Sequence, residues 1–383
     1  MAAQRKADGS GRRGERDGER LRATLPASGG TGRRALAKHG EAHVPPPARP
    51  ISRFPQPAKA RPAEAQPKWY AIVNPVAGSG RGLTDWPIIS KLLRDNHIYH
   101  DYVFTEHKHH ATELVVEAVM AGYRKVIIVG GDGTIHEVVN GIFIQRQVAT
   151  QDVLVAVIAV GTGNDWIRMF GIPRKYSEAI KAIAAGHSFL QDVGTISYQE
   201  AGYRQSRYMA NVAGIGFDAN VNRRYNHLKE IGKKGKWLYI RSAFRALVVY
   251  RSTGVKVWVD DELVFNDLVF SAAIGVGKYN GGGMIPMPEA IADDGLLDMT
   301  IIGRMSKLGL LFRFKSLYNG KIYRHSMVSH SRGRTIRIES SPEIAVEVDG
   351  EALGFSPFEF AVIDRAIRVI VAERFLEQLQ PKP

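Results

Sequence analysis

VIIVGGDGTIHEVVNG, residues 126–141, decides how the rest of the chain is read. Val126 to Val129 is a run of β-branched residues with no polar position, as in a strand covered on both faces. The run breaks at Gly130-Gly131-Asp132-Gly133-Thr134, and apolar residues at helical spacing follow, with Ile135, Val138 and Val139 on one face. A strand that ends in a glycine turn and opens a helix suits phosphate. Glycine lets a polyanion approach the backbone, and the free N–H groups of the turn and helix start point at it. Asp132 repels phosphate unless a cation or a ribose hydroxyl lies between them. The stretch therefore favours a nucleotide-and-metal site over a bare phosphate cradle.

The same arrangement recurs on either side. Tyr70-Ala71-Ile72-Val73 reads as a strand running into Asn74-Pro75-Val76-Ala77-Gly78-Ser79-Gly80, and residues 153–160 form a strand ending in Gly161-Thr162-Gly163-Asn164-Asp165. Helices are expected near 85–95, 111–121 and 135–145, and a further strand near 98–104. Strands alternating with helices, each strand apolar on both faces, predict a parallel sheet covered by helices. Ligands gather at the carboxyl ends of strands in such sheets, so the three glycine turns are expected to meet at one site. Beyond about residue 190 strands dominate, at 207–213, 255–260, 268–276, 296–303, 334–339, 344–349 and 358–372. Helical signals there are limited to about 220–250 and 306–320.

The expected fold class is α/β: a parallel-sheet nucleotide-binding domain over residues 68–192, then a mostly antiparallel β-sandwich domain over 193–370. Residues 371–383, with Phe375 and Leu376, read as a terminal segment returning to the first domain. Residues 1–67 are rich in Gly, Arg, Pro and Ala with little to bury, so this basic tail is expected to be disordered. The charge is uneven: residues 1–68 hold 15 Lys and Arg against 6 Asp and Glu, and the remainder 37 against 32. With no cysteine, disulfides, thiolate metal sites and thiol nucleophiles are excluded. No apolar run is long enough to span a bilayer, and the N-terminus lacks the apolar core of a secretory signal.

In order along the chain stand Asn74-Pro75 to Gly80, then Gly130 to Thr134 with Glu137 and Asn140-Gly141. Next come Gly161 to Trp166, Gly214-Ile215-Gly216-Phe217-Asp218, Gly281-Gly282-Gly283, Asp294-Gly295-Leu296-Leu297-Asp298, and Asp349-Gly350-Glu351. This series resembles the diacylglycerol kinase catalytic-domain family, in particular bacterial soluble lipid kinases related to sphingosine and ceramide kinases. The resemblance extends from Trp69 to about Phe375. The GGDGT element alone is shared with NAD kinases and phosphofructokinases, whose fold the first domain is expected to follow; the ordered series is more specific.

The resemblance implies an ATP- and Mg²⁺-dependent lipid kinase acting on diacylglycerol or a related membrane lipid. It implies nucleotide contacts from Asn74, Pro75, Val76, Ala77, Gly78, Thr105, Gly130, Gly131, Asp132, Gly133, Thr134, Ile135, His136 and Thr162. It implies that Mg²⁺ is held by the Asp294 carboxylate and the carbonyls of Ile291 and Leu296. Phosphoryl transfer needs a group to accept the proton of the attacking hydroxyl, and the resemblance implies that this base lies in the Asp349-Gly350-Glu351 turn, with Glu351 first and Asp349 second. Asp218 reads as structural or linked to metal through water. His136 departs from the family, where Asn is common; a role as base is not expected.

Each motif also has a bland reading. Asn164 and Asp165 suit a helix cap, Asp294-Gly295 a tight turn, and Asp349-Gly350-Glu351 a hairpin turn. His107, His109 and His110 read as a solvated loop without a carboxylate partner. The stretches 223–245 and 307–324 mix basic with apolar residues, Trp237 and Phe312 among them, which suits an anionic membrane surface as well as an amphipathic helix packed on the β domain. The expected location is cytoplasmic, peripheral to the inner face of the membrane, with a homodimer as an option and no nucleic-acid partner. Two other readings stay open: an NAD-kinase-like or other soluble small-molecule kinase, and a non-catalytic lipid or nucleotide sensor.

Overall fold

The computed structural model describes residues 68–161, 163–217, 219–221, 250–304, 309 and 315–379. The expectations for residues 1–67, for Thr162 and Asp218, and for the basic stretch 223–245 lie outside the described residues, as does much of 307–324.

The first lobe is built from β1 (Trp69–Val73), β2 (His100–Phe104), β3 (Lys125–Gly130) and β4 (Leu154–Ala159) in the order β2-β1-β3-β4, every neighbour parallel. Helices α1 (Ala77–Thr84), α2 (Trp86–Asp95), α3 (His110–Met120), α4 (Asp132–Ile144), α5 (Asp165–Met169) and α6 (Tyr176–Ala185) connect and cover them. The continuous apolar runs of β3 and β4 follow from this layering. Ile128, Val155 and Val157 pack with Val115, Val138 and Val139 of α3 and α4. Their alternate neighbours Ile127, Val129 and Ile158 pack with Ile89 and Leu93 of α2 and Ile180 and Ile183 of α6. Each such side chain buried contributes on the order of 1.5–3 kcal/mol.

The second lobe is antiparallel throughout. It comprises β5 (Ser188–Glu200), β6 (Tyr203–Met209), β7 (Val212–Gly216), β8 (Thr253–Val259), β9 (Glu262–Gly275), β10 (Leu297–Gly303), β11 (Val328–Gly333), β12 (Thr335–Ser341), β13 (Ala345–Val348) and β14 (Glu351–Ile370). Its core joins Ile196, Tyr198, Ile274, Met299, Val346, Phe358 and Phe360.

Two expectations are corrected. The parallel strands of the first lobe are not a sheet of their own: all fourteen described strands belong to one mixed sheet, mostly antiparallel. Strand β14 is the join, antiparallel to β5, β12 and β13 and then parallel to β4 through Arg368 and Val369. The return to the first lobe therefore begins before residue 371. It is completed by α7 (Glu373–Leu379), whose Phe375 ring packs on Phe170 and Phe189. Helices α1, α5 and α6, and strands β5 and β11, were not among the expected elements. In α6 the signal is present: Ala179, Ile180 and Ile183 are buried at helical spacing, and Gly186 closes the helix in the left-handed region.

Candidate active site

The three glycine turns meet at the carboxyl ends of β1, β3 and β4. Asn74 ends β1 and donates from Nδ2 to Thr134 Oγ1 at 3.0 Å, while its Oδ1 accepts the Val76 N–H. Gly78 takes φ 58°, and a Cβ there would stand 2.0 Å from the Val160 carbonyl oxygen, so only glycine lets this turn lie against the end of β4. Asn164 donates to the Gly161 carbonyl at 2.6 Å, and a Cβ on Gly161 would meet its Oδ1 at 2.7 Å. Thr105 follows β2, buried, with its N–H on the Val73 carbonyl. Pro75, Val76 and Ala77 lie between Asn74 and Gly78, with Val76 fully open to solvent on one side at 74% exposure.

Asp132 opens α4 in the middle of these turns. Burial, reinforced by repulsion from Asp165, pushes its carboxyl up to about 6, against the N–H groups of Trp166 and Asp165 at 3.3 Å. Asp165 is likewise raised, mainly by burial, although its Oδ2 accepts the Gly282 N–H at 2.6 Å. Among the described residues Asn164 Oδ1 and Asp165 Oδ1 are buried and accept no hydrogen bond, and only the Arg168 Nε stands near the latter, at 3.5 Å. A Cβ on Gly163 would come within 3.1 Å of Asp132 Oδ2. Surplus buried oxygen acceptors around a space kept clear by glycine fit a hydrated divalent cation, which takes hard oxygen ligands.

The expected metal loop is different. Asp294 Oδ1 accepts the Leu296 N–H at 3.1 Å, and Oδ2 is ion-paired with the Arg332 guanidinium, which also binds the buried Asp298 through Nε at 3.0 Å. Strand pairing sets Arg332 opposite Asp298, so one guanidinium of the protein's own is shared by two carboxylates here. Ile291 is exposed beside it. Asp192, fully buried, ties the loop down by accepting the N–H groups of Gly295 and Arg365. Burial and the nearby Asp364 push its carboxyl up to about 6.

The second lobe brings the Asp349-Gly350-Glu351 turn against the phosphate turn. Asp349, at φ 50°, accepts four hydrogen bonds: from the N–H groups of Ala210, Asn211 and Val212 at 2.8–3.1 Å and from His136 Nδ1 at 3.0 Å. His136 is thereby a strut between α4 and this turn. Ile135, next to it, is buried in the first core. Asn140 adds a second strut, exchanging hydrogen bonds with the backbone of Tyr208. Glu351 is free of such duties. Its Oε1 lies 3.3 Å from where a Gly133 Cβ would be, and its Oε2 pairs with Lys108 Nζ at 3.0 Å. Lys108, His109, His136, Tyr198, Glu200, Arg207 and Glu351 help to line a cavity of about 160 Å³.

Lys108, Asn211, Glu347 and Arg332 were not singled out in the sequence. Glu347 alone offered a signal: an acid in the strand pattern Ile344-Ala345-Val346-Glu347-Val348, buried and bonded to Asn280 Nδ2 and the Gly350 N–H. The histidine loop is also corrected, since Glu113 supplies a carboxylate within 4.8 Å of His107 and His110. His110 Nδ1 accepts the Glu106 N–H, however, which leaves its proton on Nε2 and opposes ligation there.

Residues 68–196 match the family model described as diacylglycerol kinase catalytic domain. Residues 211–371 match that of the YegS C-terminal NAD kinase beta sandwich-like domain. Among curated relatives, the diacylglycerol kinase of Mycobacterium tuberculosis (strain ATCC 25618 / H37Rv) is 28% identical over 305 residues, covering 79% of this chain and 94% of that protein. The diacylglycerol kinase of Staphylococcus saprophyticus is 28% identical over 318 residues, covering 80% and 98%. A crystal structure of a diacylglycerol kinase from Bacillus anthracis str. Sterne superposes with TM-score 0.60 at 22% identity, covering 81% of this chain and 98% of that one, a likeness of fold.

Proposed function

We propose that this chain, which joins a diacylglycerol kinase catalytic domain to a YegS-type C-terminal domain, transfers the γ-phosphoryl group of ATP to the hydroxyl of a membrane lipid of the diacylglycerol class. The observation that carries this reading is the approach of Glu351 to Gly133 in the phosphate turn, which sets a carboxylate, its other oxygen paired with Lys108, beside a nucleotide cradle. The cradle itself is supported by the meeting of the turns at Asn74, Gly131 and Gly161, with the N-terminus of α4 facing the phosphates.

In the proposed reaction Glu351 takes the proton of the lipid hydroxyl as its oxygen attacks the γ-phosphorus. The bond to the β-phosphate oxygen breaks, and ADP leaves with that electron pair. Asp349 does not share this work, because three backbone N–H groups and His136 already occupy its carboxylate. It holds the turn that presents Glu351. Asp132, Asp165 and Asn164 would hold the magnesium ion, which when bound neutralises charge on the phosphates. Asp294 is left to Arg332. The lipid headgroup would enter the cavity beside Glu351, from a cytoplasmic protein resting on the inner face of an anionic membrane. Among the described residues no helix is long and apolar enough to cross one.

The test is transfer of labelled phosphate from ATP to diacylglycerol, phosphatidylglycerol and sphingoid bases in mixed micelles, with NAD in detergent-free buffer as the competing acceptor. A labelled diacylglycerol product is expected. Labelled NADP with no labelled lipid would replace this reading by the soluble-kinase one.

A further inference from the structure

We propose that Lys108 is a further catalytic residue, the cation that meets the transferred phosphoryl group; this rests on the kinase reading above. Negative charge gathers on the γ-phosphoryl oxygens as it passes to the acceptor, and a positive group fixed nearby is the usual means of stabilising it. The glycine turns contain no lysine. Among the described residues, Arg81 is held by Asp85 and Tyr176 and Arg174 by the Gly163 carbonyl, while Arg168 stands 3.5 Å from Asp165 Oδ1.

Lys108 stands elsewhere, between β2 and α3, yet its ammonium reaches Glu351 Oε2 while Glu351 Oε1 faces Gly133. The carboxylate is thus shared between the ammonium and the phosphate turn. Glu137, one turn into α4, secures the loop by accepting the N–H groups of His109 at 3.0 Å and Ala111 at 3.1 Å. Its own carbonyl accepts the Thr112 hydroxyl. The backbone that carries Lys108 is therefore indexed to the helix that begins at the phosphate turn. Stability does not explain the pair. Its side chains are 62% and 22% exposed, and an ion pair open to solvent contributes less than about 1 kcal/mol. Lys108 and Glu351 also line the same small cavity, where the acceptor hydroxyl would arrive.

With ATP on the turn, the ammonium bridges Glu351 and the γ-phosphoryl oxygens. It keeps its proton throughout: the hydroxyl proton goes to Glu351, the new oxygen–phosphorus bond forms, and the bond to ADP breaks. Of the nucleotide, Lys108 touches the γ-phosphoryl group alone, so its removal acts on ATP and not on ADP.

The experiment uses the full chain with Lys108→Met and Lys108→Arg. Calorimetry measures ATP and ADP binding in magnesium buffer, and labelled transfer to diacylglycerol micelles is measured at saturating nucleotide. Lys108→Met is expected to lower kcat about 100-fold, to bind ADP as the unaltered protein does, and to lose its preference for ATP over ADP. Lys108→Arg should recover a large part of both. Unchanged kcat in Lys108→Met, or equal weakening of ATP and ADP, overturns the proposal. Should the unaltered protein phosphorylate no lipid, the kinase reading fails by itself, and the ATP-against-ADP comparison still decides whether Lys108 meets a γ-phosphate.

Discussion

In Asp132→Asn the side chain keeps its size and loses a charge that the folded protein holds at a cost. The carboxyl titrates near 3.8 in the unfolded chain and near 6 in the fold, where burial and Asp165 oppose its ionisation. Between those values the folded protein binds a proton that the unfolded chain has released, so stability falls as pH rises from about 4 to about 6 and stays lower above. The difference of about two pH units, at about 1.36 kcal/mol each, bounds the effect at about 3 kcal/mol. Asp132 is partly exposed, and solvent screening reduces the expected gain to about 1–2 kcal/mol. The amide can still accept the N–H groups of Asp165 and Trp166, and its NH₂ gains the unpartnered acceptors nearby. Urea unfolding without nucleotide, at pH 7.5 and near pH 4, measures this. Asp132→Asn should be more stable at the higher pH and close to unaltered at the lower, with phosphoryl transfer abolished. A variant destabilised at pH 7.5, or equally stabilised at both, would refute the reasoning.

Glu351→Gln should lower transfer by about 10²–10⁴-fold and move the urea midpoint little. Asp349→Ala should cost several kcal/mol, at about 1–3 kcal/mol for each buried N–H left unpaired at residues 210–212. Equal midpoints for the two would undo their separate roles. Chelator without nucleotide should leave Tm unchanged, because Arg332 already pairs with Asp294, whereas in Arg332→Met added Mg²⁺ should raise Tm; a magnesium-dependent Tm in the unaltered protein counts against this. Affinity for magnesium nucleotide should fall below about pH 6 as Asp132 takes up its proton, and calorimetry across pH 5–8 that finds no such fall would move the cation away from Asp132.

The strand-turn-helix at residues 126–141 was legible because its causes are local: β-branched residues, glycines and helical spacing within one stretch. The role of Asp349 was not, since its donors lie at residues 136 and 210–212 and reach it only through the fold. Glu351 and Asp349 are two residues apart and chemically alike, and only the number of donors around each separates them. Arg332 was equally invisible: its position opposite Asp298 is a matter of strand register, and register is set by pairing over distance. Lys108 reads in the sequence as one more cation in a polar loop. The joining of both lobes through β14 escaped because its apolar positions suit either sheet.

That strand has a consequence for anyone who cuts the gene. The two matched segments end and begin at residues 196 and 211, which invites expressing them separately. Yet the neighbour of β4 is the far end of β14, and Val369, Ile370, Val371 and Phe375 fill the first lobe's core. A fragment stopping at residue 196 would bare the backbone of β4 as a sticky, water-exposed edge, the kind that templates aggregation. The two segments are one folding unit: truncation products should be insoluble, and a lobe borrowed from a relative would have to bring its own final strand.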